Sequence, residues 1–263
     1  MKPPLLWLEQ AAVSGMYTAD YWNDPDIERE KPFWLTNPDD KTLEAYLKRS
    51  GLRAEFELVV EHLKAGRLLR GKVLDVAAGV CWTSALLSRY PEVEQVDALE
   101  FSWHRLNDIA PVVCASLNAD LDKIQPVFGS FYDIARHRPH FYDIVFMSQA
   151  FHHAEEPIRL AQECDRALKP GGAIVLLGEH LITWPRFLNR VLRTLLYEHK
   201  LTFDFFELFK PDDRAGDHYY KIDHYHFLLR SLGYKVEHHT TNIRDSLMII
   251  ATKDVRSQTL GGQ

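Results

Sequence analysis

Val73-Leu-Asp-Val-Ala-Ala-Gly-Val-Cys-Trp-Thr-Ser84 reads as a short apolar strand that runs into a turn of small residues and then into a helix. A junction of this kind exposes backbone N–H groups beside the C-terminal edge of a sheet, where open α/β proteins bind ligands. Asp75 stands at the strand-to-turn transition, where a carboxylate can accept from turn N–H groups and favour a cationic ligand. Glu100 ends the next apolar run, Gln95-Val-Asp-Ala-Leu-Glu100, and is placed to take two ribose hydroxyls. Each acid also has an ordinary structural role open to it, Asp75 as a helix-capping carboxylate and Glu100 as a solvated strand end. Together they indicate a nucleotide-type pocket.

Downstream, the pattern repeats. Pro126-Val-Phe128, Tyr142-Asp-Ile-Val-Phe-Met-Ser148 and Ala173-Ile-Val-Leu-Leu-Gly178 are apolar runs of strand length, separated by helical stretches such as 157–168. Strands alternating with helices indicate βαβ crossovers and a mostly parallel sheet whose strands are buried on both faces. The last two runs, Lys235-Val-Glu-His-His-Thr240 and Leu247-Met-Ile-Ile-Ala251, are joined by too few residues for a crossover, so they pair as an antiparallel hairpin. The expected fold is α/β: a Rossmann-like, seven-stranded, mostly parallel sheet with a C-terminal antiparallel hairpin and helices on both faces. Residues 72–263 form this domain. Residues 1–71 form an N-terminal arm and helical cover, irregular and aromatic to about residue 40 and helical beyond it. A lid insertion occupies about 179–216. Its stretch 184–200 has Phe187, Leu188, Val191, Leu192, Leu195 and Leu196 at helical spacing with Arg186, Arg190 and Arg193 between them, followed by four phenylalanines. It reads as a helix packed on the sheet edge or, given the interleaved arginines, as a partner-facing surface or one for peripheral membrane contact.

Composition narrows the function classes. With 46% apolar and 26% charged residues the 263-residue chain is globular, and its formal charge of −6 offers no basic field for a long nucleic acid. Three scattered cysteines without CxxC spacing indicate neither a disulfide framework nor a local zinc site, and a cytoplasmic location is the simplest expectation. No window reaches the roughly 18–20 apolar residues of a transmembrane helix.

In this order the segments resemble the class I S-adenosylmethionine-dependent methyltransferases from Lys72 to the C-terminus. In the family's first motif, Asp75-Val-Ala77-Ala-Gly79-Val-Cys81, the middle glycine is Gly79, and Ala77 and Cys81 stand where the flanking glycines usually do. The resemblance assigns Glu100 to the cofactor's ribose and Phe101 to the adenine edge. It assigns Ser130 to the adenine amine, in place of the family's frequent acid, and Phe131 to stacking on the ring. The fourth motif is Phe141-Tyr-Asp-Ile-Val-Phe-Met-Ser148-Gln149-Ala-Phe-His152-His153, with Ser148 and Gln149 on the cofactor. The fifth is Arg166-Ala-Leu-Lys-Pro-Gly171-Gly172-Ala-Ile-Val.

The implied reaction is methyl transfer from S-adenosyl-L-methionine to a small or medium-sized molecule, as O-methylation of a natural-product-like, lipid or glycosylated acceptor. A sulfonium methyl is already electrophilic, so the protein's main work is alignment in a dry site, with a base useful for a hydroxyl. His152 and His153 are the candidate bases, their alternative being to pack the loop after the strand. Tyr17, Tyr21, His180, His218, Tyr219 and Tyr220 are expected around the acceptor, with Trp22 joining the two arm tyrosines as a lid. No metal site is assigned, because His218, Asp223 and His226 combine mixed spacing with adjacent tyrosines. Two other readings remain: a non-catalytic cofactor-binding scaffold or partner subunit of the same fold, and an NAD-dependent oxidoreductase, which a reversed final strand disfavours.

Overall fold

The computed structural model describes residues 1–13, 15–16, 18–24, 40–210, 215–241 and 246–253; Tyr17 lies outside them. Its centre is an eight-stranded sheet of β1 (Leu5–Leu6), β2 (Gly71–Val76), β3 (Val93–Glu100), β4 (Ile124–Phe128), β5 (Tyr142–Ser148), β6 (Leu168–His180), β7 (Lys235–Thr241) and β8 (Ser246–Thr252). The strand order is β1-β4-β3-β2-β5-β6-β8-β7. Six strands, β1 to β6, run parallel, and β8 enters antiparallel between β6 and β7. The seven expected strands are present. The eighth is a two-residue strand of the arm that pairs Leu5 with Val127 and Leu6 with Phe128.

The order reverses between β2 and its two neighbours β3 and β5, which leave β2 in opposite directions along the sheet. Crossovers on opposite faces diverge there and open a crevice at the strand C-termini. The apolar runs are buried on both sides as expected. Leu74 and Val76 face one cluster with the helices Pro157–Ala167 and Ile222–Ser231, and Val73 faces another with the helices Leu52–Ala65 and Trp82–Ser88. In Leu52–Ala65, the residues Leu52, Phe56, Val59, Val60 and Leu63 follow one helical stripe, each at most 3% exposed. At about 1.5–3 kcal/mol per buried large side chain, this stripe anchors the helical cover to the sheet.

Two elements differ from expectation. β6 begins at Leu168, before the Pro-Gly-Gly turn, because Leu168 pairs with Tyr142 and the register then shifts through Gly171 at φ 77°. The insertion helix Trp184–Glu198, capped by the Thr183 hydroxyl accepting from the Arg186 N–H, buries only Val191 and Thr194. Leu188, Leu192, Leu195 and Leu196 are 40–59% exposed, and Trp184 is 77% exposed. It therefore presents most of its apolar side to solvent instead of packing it on the sheet edge.

Candidate active site

A cavity of about 590 Å³ occupies the crevice. Its floor begins where β2 ends. Ala77 (φ 52°), Gly79 (φ 55°) and Cys81 (φ 63°) are all left-handed, so the chain coils tightly before the helix Trp82–Ser88. Left-handed backbone costs an L-residue with a side chain roughly 1–2 kcal/mol, a strain the surrounding contacts must outweigh. Glu100, at the end of β3, holds the coil: one carboxylate oxygen accepts from the Gly79 N–H at 2.8 Å and the other from the Phe101 and Ser102 N–H groups at 2.8 Å each. Asp75 is buried beneath the coil and accepts from the hydroxyls of Thr83 (2.6 Å) and Ser84 (2.5 Å). Burial pushes its pKa up to about 6 against the downward pull of those hydrogen bonds.

Two observations bear on whether a nucleoside cofactor fits here. A Cβ built on Gly79 would meet no atom of the described residues within 4 Å, so among them the coil faces open space. Beneath it, the buried Oδ1 of Asp75 has no hydrogen-bond partner among the described residues. With Glu100, Phe101, Ser130 and Phe131 on the same wall, the residues present suit a cationic nucleoside ligand.

The other end of the cavity is built of histidines. After β5, Gln149 turns left-handed at φ 52° and leads into a short 3-10 turn, Phe151–His153. His152 Nδ1 lies 2.8 Å from Glu179 Oε2. Glu179 is wholly buried and also accepts from the Ala150, Phe151 and His152 N–H groups and from the Tyr225 hydroxyl, at 3.1–3.2 Å. Burial disfavours the imidazolium of His152, but the Glu179 carboxylate outweighs it and holds the ring above the ordinary histidine value. Reciprocally, burial would raise Glu179, and His152 instead holds it below the ordinary carboxylate range. His153 Nδ1 is 3.1 Å from Asp217 Oδ1, and His180 Nε2 is 3.9 Å from Asp217 Oδ2. Burial and the charge of His152 push His180 down to about 4. For Asp217, burial acts upward, but the surrounding imidazoles bring it down to about 2.

The cavity brings together Ala77, Gly79, Glu100, Phe101, Ser130, Phe131, Ser148, Gln149, His152, His153, His180 and Tyr21. Five other expected site residues are off its wall. Asp75 lies beneath the floor. Cys81 is fully buried beside Cys114, because its left-handed backbone turns the thiol into the core, and burial raises its pKa well above the ordinary value. His218 donates its backbone N–H to the His152 carbonyl at 2.8 Å, which carries its neighbours behind the histidine cluster. Tyr219 stacks on the back of His180 with ring centroids 5.2 Å apart, and Tyr220 packs on Phe151 and Tyr225. His226 bonds instead to His238 at 2.9 Å.

Sequence reasoning misses Glu179, Asp217 and Arg105. Arg105 lies under Trp22, 4.6 Å from the indole, whose Nε1–H donates to the Ala215 carbonyl at 3.1 Å. The arm and the insertion thus meet over the cavity. From its rim a ladder of rings, His180, Tyr219, Phe209, Phe187 and Trp184, runs to the exposed insertion helix with successive centroids 5.2–6.4 Å apart. No helix of the described residues is long and apolar enough to cross a membrane.

Comparison with known proteins agrees with this fold. Residues 74–176 match the family model of a methyltransferase domain. The chain is similar in fold to magnesium protoporphyrin IX methyltransferase from Synechocystis PCC 6803, solved with bound S-adenosylhomocysteine: 18% identity, TM-score 0.62, covering 89% of this chain and 97% of that one. It is also similar to the PH0226 protein of Pyrococcus horikoshii, with 19% identity, TM-score 0.54, and coverage of 79% and 92%. No curated protein sequence matches the chain significantly.

Proposed function

We propose that the chain, whose residues 74–176 match a methyltransferase-domain model, is a class I S-adenosylmethionine-dependent methyltransferase, and that it methylates an oxygen of a small or medium-sized acceptor with an apolar body, bound at the histidine end of the cavity. The observation that carries this reading is the pairing, across one cavity, of the Glu100-held coil with the His152–Glu179 unit. When bound, the cofactor supplies an electrophilic sulfonium methyl group. Glu100, while still holding the coil, would accept from the ribose hydroxyls; Phe101 and Phe131 would border the adenine, and Ser130 would bond its amine. Gly79 leaves room for close approach, and the Asp75 carboxylate below favours a cation.

Glu179 fixes the His152 ring through Nδ1, which presents Nε2 to the acceptor. His152 Nε2 would take the proton of the acceptor hydroxyl, freeing its oxygen for the methyl group that the cofactor would supply. The buried carboxylate makes the neutral ring a stronger base but also favours its protonated form, so transfer should rise with pH as His152 loses its proton. Trp22 and Tyr21 close the cavity against water. The apolar ladder from His180 to the exposed face of Trp184–Glu198 supports an acceptor with a lipid or aromatic portion, delivered along that face. In this scheme 72–263 is the catalytic unit and 1–71 its cover.

The test is transfer of a radiolabelled methyl group from the cofactor to a panel of hydroxylated aromatic and lipid acceptors, with His152→Ala as control. Transfer that His152→Ala lowers by about a hundredfold or more supports the reading, as expected for loss of a general base. Transfer only to nitrogen or carbon acceptors, or none to the panel, contradicts it.

A further inference from the structure

The His152–Glu179 unit accounts for one imidazole of the cluster and leaves its neighbours unexplained. His153 Nδ1 and Asp217 Oδ1 sit 3.1 Å apart in a contact too poorly aligned to satisfy the buried ring nitrogen, which has no well-formed hydrogen bond among the described residues. His180 Nε2, 3.9 Å from the same carboxylate, is also buried without a hydrogen-bond partner among the described residues. Buried polar atoms left unpaired cost roughly 1–3 kcal/mol each, so two in one cluster point to a partner outside the chain. Ligand atoms of His152, His153 and Asp217 all lie within 4.8 Å of one another.

We propose that His152, His153 and Asp217 form a binding site for a first-row divalent transition metal ion at the acceptor end of the cavity. For three donors at that spacing there is a point within about 2.8 Å of all of them, against coordination distances of ~2.0–2.2 Å for histidine nitrogen and carboxylate oxygen, so side-chain shifts of under ~1 Å close the site. Two imidazoles and one carboxylate suit Zn²⁺, Fe²⁺, Co²⁺ or Ni²⁺ rather than Ca²⁺ or Mg²⁺, which prefer all-oxygen shells. Glu179 supplies what metal-bound histidines usually have behind them, a carboxylate on the other ring nitrogen that sets the tautomer and orientation. Three protein ligands leave a coordination position open toward the cavity, and His180 stands beside it. The ligands come from positions 152, 153 and 217, a spacing no local metal motif contains.

The site does not depend on the O-methylation reading; only its consequence does. With Nδ1 on Glu179, the ion would take His152 Nε2, so that atom serves either as base or as ligand: with the ion bound, the metal and not the imidazole would hold and acidify the acceptor oxygen.

The experiment titrates tag-free, chelator-treated protein with Zn²⁺ by calorimetry, and with Co²⁺ by visible absorption. S-adenosylhomocysteine binding to the same samples reports on the fold and on the cofactor site. The expected result is one Zn²⁺ per chain and a Co²⁺ band of a nitrogen- and oxygen-ligated site. Both should be lost in His153→Ala and in Asp217→Ala, and Glu179→Gln should weaken Zn²⁺ by about 10–100-fold. All variants should still bind S-adenosylhomocysteine. Absence of Zn²⁺ binding in protein that binds S-adenosylhomocysteine overturns the metal site alone. Zn²⁺ binding that both ligand variants leave unchanged overturns it as well, and places the ion elsewhere, such as at His226 and His238. Loss of S-adenosylhomocysteine binding in wild-type protein with Zn²⁺ binding intact instead counts against the cofactor reading.

Discussion

His152 Nδ1 lies 2.8 Å from Glu179 Oε2, and the two residues, 27 positions apart, are buried as one unit between the loop after β5 and the end of β6. Glu179→Gln keeps the shape and an acceptor for the backbone N–H groups but removes the charge that orients and strengthens the ring. The expected outcome is a fall in kcat of about 10–100-fold with cofactor affinity retained. Glu179→Ala leaves a buried imidazole unpaired, and the expected stability loss is about 3–5 kcal/mol, read by denaturant unfolding.

Gly79 faces open space in the left-handed region. Gly79→Leu should fold with a modest loss of about 1–2 kcal/mol from the backbone conformation, while its side chain fills the space assigned to the cofactor. Calorimetry should detect no S-adenosylhomocysteine binding to a variant whose thermal unfolding remains cooperative.

Asp75 is buried with its pKa raised from 3.8 to about 6. A carboxyl raised on folding stabilises the protein fully below the unfolded pKa, and that contribution is lost as pH rises through the folded one. The ligand-free protein should therefore lose on the order of 2–3 kcal/mol between about pH 4 and pH 6 from this group. Asp75→Asn should lack that part of the pH dependence and be more stable at neutral pH, yet bind the cationic cofactor more weakly. Urea unfolding from pH 4 to 7 for both proteins checks the sign.

Trp22 bridges the arm and the insertion through Ala215, covers Arg105, and touches His153 edge-on with ring centroids 5.1 Å apart. Trp22→Ala opens the cavity to water without touching the core. Cofactor dissociation should accelerate several-fold in stopped-flow measurements, with overall stability little changed.

The parts of the site carried by contiguous sequence are legible in it. Asp75 and Gly79 share one strand-turn-helix, Glu100 ends the adjacent strand, and His152 and His153 follow the β5 run, so local pattern and register place them all on one edge of the sheet. The alternation of strand and helix also indicates the sheet and its terminal hairpin. Glu179 and Asp217 are not legible, because their meaning comes from what the folded chain brings against them, and a Glu at a strand end or an Asp in a loop is ordinary by composition. Tyr219 and Tyr220 have the residue type of an acceptor pocket, but the pattern does not show that their rings pack on His180 and on Phe151 and Tyr225. The insertion helix shows its apolar periodicity in the sequence, but not that this face stays exposed, since periodicity fixes a side and not what covers it.

Binding of the cofactor by the Glu100-held coil is tested most directly by titration calorimetry with S-adenosylhomocysteine on wild type and Glu100→Ala. One site per chain is expected in the wild type and affinity at least about tenfold weaker in the variant, from loss of the carboxylate that holds the coil and would bond the ribose. Absence of wild-type binding at high micromolar concentration, or equal affinity in the two proteins, would contradict it.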